Sequence, residues 1–262
     1  MGRVDFSSEE RAATVWPNLW PEFMDYKAPA TKFYNELDKY SELFQEIFSL
    51  ALGEDKDFLY KGCKDGDTII RMLHYPLDKS EKKSEQAAVW SRAHTDITLF
   101  TILPKATAKG LQVCDDKGVW HPVYVKEDAM IVNVGDFLEI FSNGYFKSSL
   151  HRVLQPDNMS TDRYSSVFFV HPRSEAELYP LERWIEKTGG TAKFIKATRW
   201  EMLMERLADL GLATDDMLKS LSDTRVLERL LTVDRASQEA MEAIERAGYA
   251  SDKIKEVLSQ KS

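Results

Sequence analysis

The stretch Arg92-Ala93-His94-Thr95-Asp96 sets an imidazole and a carboxylate two residues apart. In an extended strand, residues two apart project to one side. His94 and Asp96 would then present a nitrogen and an oxygen donor to a common point. A third donor is needed to fill one face of an octahedron, and His151, 55 residues beyond Asp96, is the candidate. Two imidazoles and one carboxylate, with the remaining positions open, suit an Fe(II) ion that must also accept a co-substrate and dioxygen. A His-x-Asp triplet alone arises often by chance, so its context matters. Twelve residues after His151, Arg163-Tyr164-Ser165 opens the apolar strand Ser166–Val170. Arg163 and Ser165 share a strand face. A guanidinium forks two hydrogen bonds onto a carboxylate and a serine hydroxyl adds a third. That is a grip for the distal carboxylate of a 2-oxo diacid whose other end chelates the metal.

These residues need a scaffold that brings strand ends together, and the chain divides into three zones that supply one. Residues 1–66 read as an N-terminal helical segment. Within it a long helix is expected from about Ala30 to Leu52, where Phe33, Leu37, Tyr40, Phe44, Ile47 and Phe48 recur every three or four positions. Gly53 is the expected stop. Residues 67–172 are strand-rich: Thr68–Tyr75, Leu99–Leu103, Leu111–Val113, Trp120–Val125, Ala129–Val134 and Arg163–Val170 have strand composition. Many short strands without intervening helices predict an antiparallel sandwich or barrel. Residues 173–262 are charged and helical, a C-terminal extension expected to pack on the core. Its first apolar stripe is Trp200, Leu203, Met204, Leu207 and Leu210.

The chain has 262 residues, 43% of them hydrophobic, which is enough for a sizeable core. A net charge of −8 gives no general attraction to nucleic acid or to anionic membranes. No apolar run approaches the roughly 20 residues that span a bilayer, and no secretory signal opens the chain. The two cysteines, Cys63 and Cys114, stand in no metal-binding spacing. They are expected to be free thiols in a reducing compartment, the cytoplasm. Nothing in the sequence fixes the oligomeric state.

Several segments together resemble the isopenicillin N synthase-like family of Fe(II)- and 2-oxoglutarate-dependent dioxygenases. They are Pro17-Asn18-Leu19-Trp20-Pro21, Arg71-Met72-Leu73-His74-Tyr75-Pro76, His94-Thr95-Asp96, Gly110-Leu111-Gln112-Val113, Asn133-Val134-Gly135-Asp136, Ser142-Asn143-Gly144, Lys147 through Val153, and Arg163-Tyr164-Ser165. The resemblance covers most of residues 17–172. It implies a mainly β fold with flanking helices, built on a double-stranded β-helix or jelly roll. It implies iron on His94, Asp96 and His151, and 2-oxoglutarate on Arg163 and Ser165 with a further hydrogen bond from Tyr75. It also implies oxidation of a small organic molecule by dioxygen, through hydroxylation, desaturation or cyclisation, with succinate and CO2 as co-products. Two departures stand out. Leu73 occupies a position where the family often has asparagine. The segment around Asn18 follows a long N-terminal part in the family that is almost missing here, so the chain is expected to be a compact variant or to lack that part.

Two other readings stay open. One is an Fe(II) oxidase of the same fold that does not use 2-oxoglutarate, since such oxidases keep an Arg-x-Ser pair. The other is a non-catalytic metal- or ligand-binding scaffold, against which the complete triad argues. His74 is expected to pack beside the sheet and His121 to lie on the surface. His171, on the parity of Arg163 and Ser165, could line the pocket mouth. Arg92 is either a solvated strand-end residue or a contact for an acidic substrate. Gly110, Gly135 and Gly144 are expected at turns or bulges.

Overall fold

The structure is a computed structural model that describes residues 1–3, 6–12, 17–77, 89–156 and 160–261. The chain forms two compact units, one of residues 1–139 and 146–173, the other of residues 140–145 and 174–262. Among the described residues, no helix is long and apolar enough to cross a membrane.

The first unit begins with helices α1 (Glu9–Ala12), α2 (Lys27–Leu52) and α3 (Phe58–Cys63). Eight strands follow: β1 (Ile69–Tyr75), β2 (Val89–His94), β3 (Phe100–Pro104), β4 (Leu111–Cys114), β5 (Trp120–Pro122), β6 (Met130–Val134), β7 (His151–Leu154) and β8 (Arg163–Val170). A short helix, α4 (Asp136–Phe141), lies between β6 and β7. The strands make two four-stranded sheets in the orders β1-β8-β3-β6 and β2-β7-β4-β5, with every pairing antiparallel. This is the jelly-roll order. The fold class expected from the sequence is the one observed.

Helix α2 ends in a Schellman motif. Gly53, at φ 80°, takes the left-handed conformation, and the Gly53 and Glu54 amides donate to the Leu50 and Ser49 carbonyls. Its buried face is Ala30, Tyr34, Leu37, Ser41, Gln45, Ser49 and Leu52, which coincides with the stripe expected from hydrophobic spacing only in part: Leu37 is buried, and Phe44 and Phe48 pack at the edge of that face. Tyr40 and Ile47 of that stripe are exposed. Small hydroxyls let the helix approach closely and are satisfied nearby: Ser41 Oγ donates to the Asp38 carbonyl at 2.8 Å and Ser49 Oγ to the Gln45 carbonyl at 2.7 Å. The rings of Phe44 and Phe48 lie 6.2 and 5.2 Å from that of Phe100, and Tyr34 meets Phe168 edge-on at 5.1 Å. Ile70, Phe100, Ile102 and Phe168 are all at most 1% exposed. Each such side chain contributes about 1.5–3 kcal/mol of burial. The driest core of this unit thus lies on the outer face of the first sheet, beneath α2. The opposite face is left for polar groups.

The second unit contains β9 (Glu177–Leu178), α5 (Glu182–Lys187), β10 (Ala197–Thr198), α6 (Arg199–Asp209), α7 (Asp215–Asp223), α8 (Val226–Leu231), α9 (Gln238–Arg246) and α10 (Asp252–Lys261). Met204, Leu221, Leu227, Leu230, Met241 and Ile244 are among its core residues. The expected α6 stripe holds only at Met204. Trp200 and Leu210 are exposed, and Ala208 is buried instead. Asn143, at φ 50° and fully buried, bonds the side chain of Thr188, the carbonyl of Thr191 and the amide of Lys193. Asparagine tolerates this left-handed conformation, so the Ser142-Asn143-Gly144 segment serves architecture.

Candidate active site

His94 is the last residue of β2 and His151 the first of β7, paired across the second sheet with ring centroids 4.3 Å apart. Asp96 does not share a strand with His94, as the two-residue spacing suggested. It lies beyond the end of β2, in the turn that leads to β3. The turn buries the carboxylate to 5% exposure and aims it back at the imidazoles. Asp96 Oδ1 stands 3.9 Å from His94 Nε2 and 3.8 Å from His151 Nε2, and the three donors lie within 4.8 Å of one another.

The remaining atoms of these side chains are held. His94 Nδ1 faces the Arg92 carbonyl at 2.7 Å and His151 Nδ1 faces that of Ser149 at 3.0 Å. A carbonyl only accepts, so each Nδ1 carries the proton and each Nε2 keeps its lone pair for the common point. Asp96 Oδ2 accepts from Asn133 Nδ2 at 2.8 Å, across from β6. The turn is pinned through its backbone as well: the amides of Gly135, Asp136 and Phe137 donate to the carbonyls of Leu99, Asp96 and Thr98. A Cβ on Gly135 would meet the Thr98 carbonyl oxygen at 2.3 Å. This glycine joins β6 directly to α4, and what requires it there is the close approach to Thr98. The roles of Asn133 and Gly135 were not read from sequence. The available signal was a single amide in the otherwise apolar strand MIVNV.

Arg163 opens β8 in register with Tyr75, and Ser165 is in register with Leu73. The Arg163 guanidinium is 5% exposed, and no carboxylate pairs with it among the described residues. Its Nε donates to the Ala108 carbonyl at 3.2 Å, its Nη1 to Ser165 Oγ at 3.1 Å, and it sits 4.9 Å from the Tyr75 ring centroid. Burial pulls its pKa below the ordinary value, with the Tyr75 hydroxyl opposing the shift. A buried cation with only neutral partners is a site for an anion. A cavity of about 300 Å³ lined by Leu103, Leu111, Ile131, Arg163 and Ser165, among others, adjoins it. Leu73 offers no hydrogen bond opposite Ser165.

The other candidates fall away from the donors. His74 is on the outer face, paired with Asp162 at 2.8 Å and stacked on Tyr164. His121 is exposed and bonded to Asp115. His171 lies past the end of β8, with Nδ1 3.2 Å from the Asp67 carbonyl. Arg92 is exposed.

The donor set fits a single divalent ion. Ordinary bonds of about 2.0–2.2 Å to nitrogen and oxygen are reached with small inward movements, and the set is the two-histidine, one-carboxylate face. Comparison with known proteins points the same way. Clavatol oxidase of Penicillium crustosum is 32% identical over 173 residues, covering 63% of this chain and 50% of its own. Homoarginine-6-hydroxylase of rice is 29% identical over 199 residues, covering 74% and 59%. The chain thus spans between half and three fifths of the length of these two relatives. Among solved structures, a full-length Neurospora crassa protein in complex with alpha-KG superposes with a TM-score of 0.68 at 26% identity, covering 79% of this chain and 64% of that one. A Caulobacter crescentus protein described as of the 2OG-Fe(II) oxygenase family gives 0.71 at 29% identity, covering 80% and 68%. Residues 61–172, which carry all three donors and the Arg163–Ser165 pair, match the 2OG-Fe(II) oxygenase superfamily.

Proposed function

We propose that this protein is an Fe(II)- and 2-oxoglutarate-dependent dioxygenase acting on a small organic molecule, with His94, Asp96 and His151 as the metal ligands. The observation that carries this reading is the convergence of three donors whose other atoms are already held, on the fold that also holds a buried Arg163 with no carboxylate partner among the described residues. Fe(II) and 2-oxoglutarate, when bound, supply oxidation of the substrate by dioxygen with release of succinate and CO2. The protein's own part is placement. Asp96 lowers the charge of the site and the two imidazoles fix one face of it. Arg163 and Ser165 hold the far carboxylate of the co-substrate, with Tyr75 beside them, so that its other end meets the metal in one orientation.

The two free cysteines, Cys63 buried and Cys114 half-buried, support a reducing compartment, the cytoplasm. The test is anaerobic addition of 2-oxoglutarate to the Fe(II)-loaded protein. A visible metal-to-ligand charge-transfer band is expected, followed by succinate release once dioxygen is admitted. Iron binding without the band would favour the oxidase that does not use 2-oxoglutarate.

A further inference from the structure

Side chains alternate along β1, so Ile69, Arg71, Leu73 and Tyr75 share one face. That face is the one toward the site, because Tyr75 meets Arg163 on it. The register gives depth. Tyr75 stands opposite Arg163, Leu73 opposite Ser165, Arg71 opposite Val167 and Ile69 opposite Phe169. The Phe169 row continues through Thr101 to Asn133, the residue that holds Asp96. Arg71 therefore stands one row from Asn133, three strands across the same sheet, and two rows from the carboxylate clamp. It lies on the edge strand of its sheet, just past the point where Met1 and Gly2 bridge Ile70 and Ile69, and its side chain is exposed.

Arg71 is exposed and makes no hydrogen bond or ion pair among the described residues. Its neighbours on that face, Ile69, Leu73, Val167 and Phe169, carry no charge. The charge balance of the site makes this cation conspicuous. With the site filled as proposed above, the two charges of Fe(II) and that of Arg163 are matched by Asp96 and the two carboxylates of 2-oxoglutarate. Arg71 is left over, beside apolar side chains that a hydrocarbon skeleton would cover.

We infer that the primary substrate is a small carboxylic acid whose carboxylate is bound by Arg71. The inference rests on the Fe(II) and 2-oxoglutarate reading. A planar guanidinium takes a carboxylate through two parallel hydrogen bonds. Anchoring there would set the substrate's carbon chain along Val167 and Phe169, on the row that leads to Asn133 and so to Asp96. The competing outcome is an arginine that does no more than solvate an edge strand.

The test uses the full chain, loaded anaerobically with Mn(II) and 2-oxoglutarate, as wild type, Arg71→Gln and Arg71→Lys. Butyrate and phenylacetate are the probes, each beside its uncharged primary amide, and Mn(II)-induced relaxation of the probe protons reports binding near the metal. The acids are expected to bind wild type about ten- to a hundredfold more tightly than the amides. Arg71→Gln is expected to erase that preference and Arg71→Lys to keep part of it. All three proteins are expected to hold 2-oxoglutarate equally, which also shows that the variants are folded. Amides that bind as well as acids, acids that bind Arg71→Gln as well as wild type, or no relaxation of either acid would overturn the inference and leave the co-substrate reading standing. Wild type that fails to bind 2-oxoglutarate would instead overturn that reading, and this inference with it.

Discussion

The side-chain amide of Asn133 donates a 2.8 Å hydrogen bond to Asp96 Oδ2, which leaves Oδ1 as the oxygen facing both His94 and His151. Asn133 lies on β6 and Asp96 in the turn between β2 and β3, so one bond ties the carboxylate's rotation to the first sheet. Partners of this kind are worth about ten- to a hundredfold in metal affinity. Asn133→Ala is expected to weaken Mn(II) binding by that factor while leaving the fold intact, as measured by metal titration beside a circular-dichroism melt. Unchanged affinity would mean that the turn alone orients Asp96.

Removing the carboxylate itself is a harsher change. Asp96→Ala takes away the only anionic donor of the triad and is expected to abolish succinate release and to lower metal affinity far more than Asn133→Ala does. Asp96→Gly, which opens the position, is expected to retain weak metal binding. Iron content after desalting, with turnover at limiting iron, checks both. Full turnover of Asp96→Ala would show that the ligands are misassigned.

Gly135 separates close approach from backbone conformation. Its φ is not in the left-handed region, yet a Cβ there would meet the Thr98 carbonyl oxygen at 2.3 Å and Thr98 Oγ1 at 2.4 Å. Gly135→Ala must push the turn that carries Asp96, at a cost of about 1–3 kcal/mol. It is expected to lower both the denaturation midpoint and metal affinity. Gly118, at φ 79° with nothing within 4 Å of its added Cβ, is the control. Gly118→Ala strains the hairpin between β4 and β5 by about 1–2 kcal/mol and is expected to leave metal affinity unchanged.

The strands richest in β-branched and aromatic residues, β1, β3, β6 and β8, were legible because their sequences carry the signal of a half-buried pleated surface. So was the hairpin at Asp115–Gly118, where Gly118 takes positive φ. The two strands that bear the histidines were the least legible: only the His94 end of β2 reads as extended, and β7 carries no strand signal. VWSRAH is an exposed edge strand and HRVL has four residues, so neither shows the alternation that burial imposes. The triad was found by residue type, but the geometry inferred for it was wrong at Asp96. A carboxylate in a turn is placed by backbone bonds from residues about 40 positions away, which local spacing does not encode. The face of α2 is legible only in part, at Leu37, Phe44 and Phe48, for a related reason. Ser41, Gln45 and Ser49 are buried because a helix can sit close over a sheet on small or internally bonded side chains, and hydrophobic counting scores them as solvent-facing.

Arg163 is the residue whose replacement bears most directly on the co-substrate. Its guanidinium is buried, bonded to Ser165 Oγ and the Ala108 carbonyl, and has no carboxylate partner among the described residues. If the distal carboxylate of 2-oxoglutarate completes it, Arg163→Gln removes the charge and the fork while keeping a polar side chain. The loss of a charge-assisted bond costs about 1.5–3 kcal/mol, or about ten- to a hundredfold in 2-oxoglutarate affinity. Metal binding should change little, since Arg163 lies rows away from the donors. Arg163→Lys keeps the charge without the two-pronged geometry and is expected to lose less. Anaerobic titration of each Fe(II)-loaded variant with 2-oxoglutarate, followed by the charge-transfer band, measures both effects against iron content. Unchanged affinity in Arg163→Gln would reject the clamp. A fall in turnover with affinity intact would move Arg163 to the substrate and make the oxidase that works without 2-oxoglutarate the better reading.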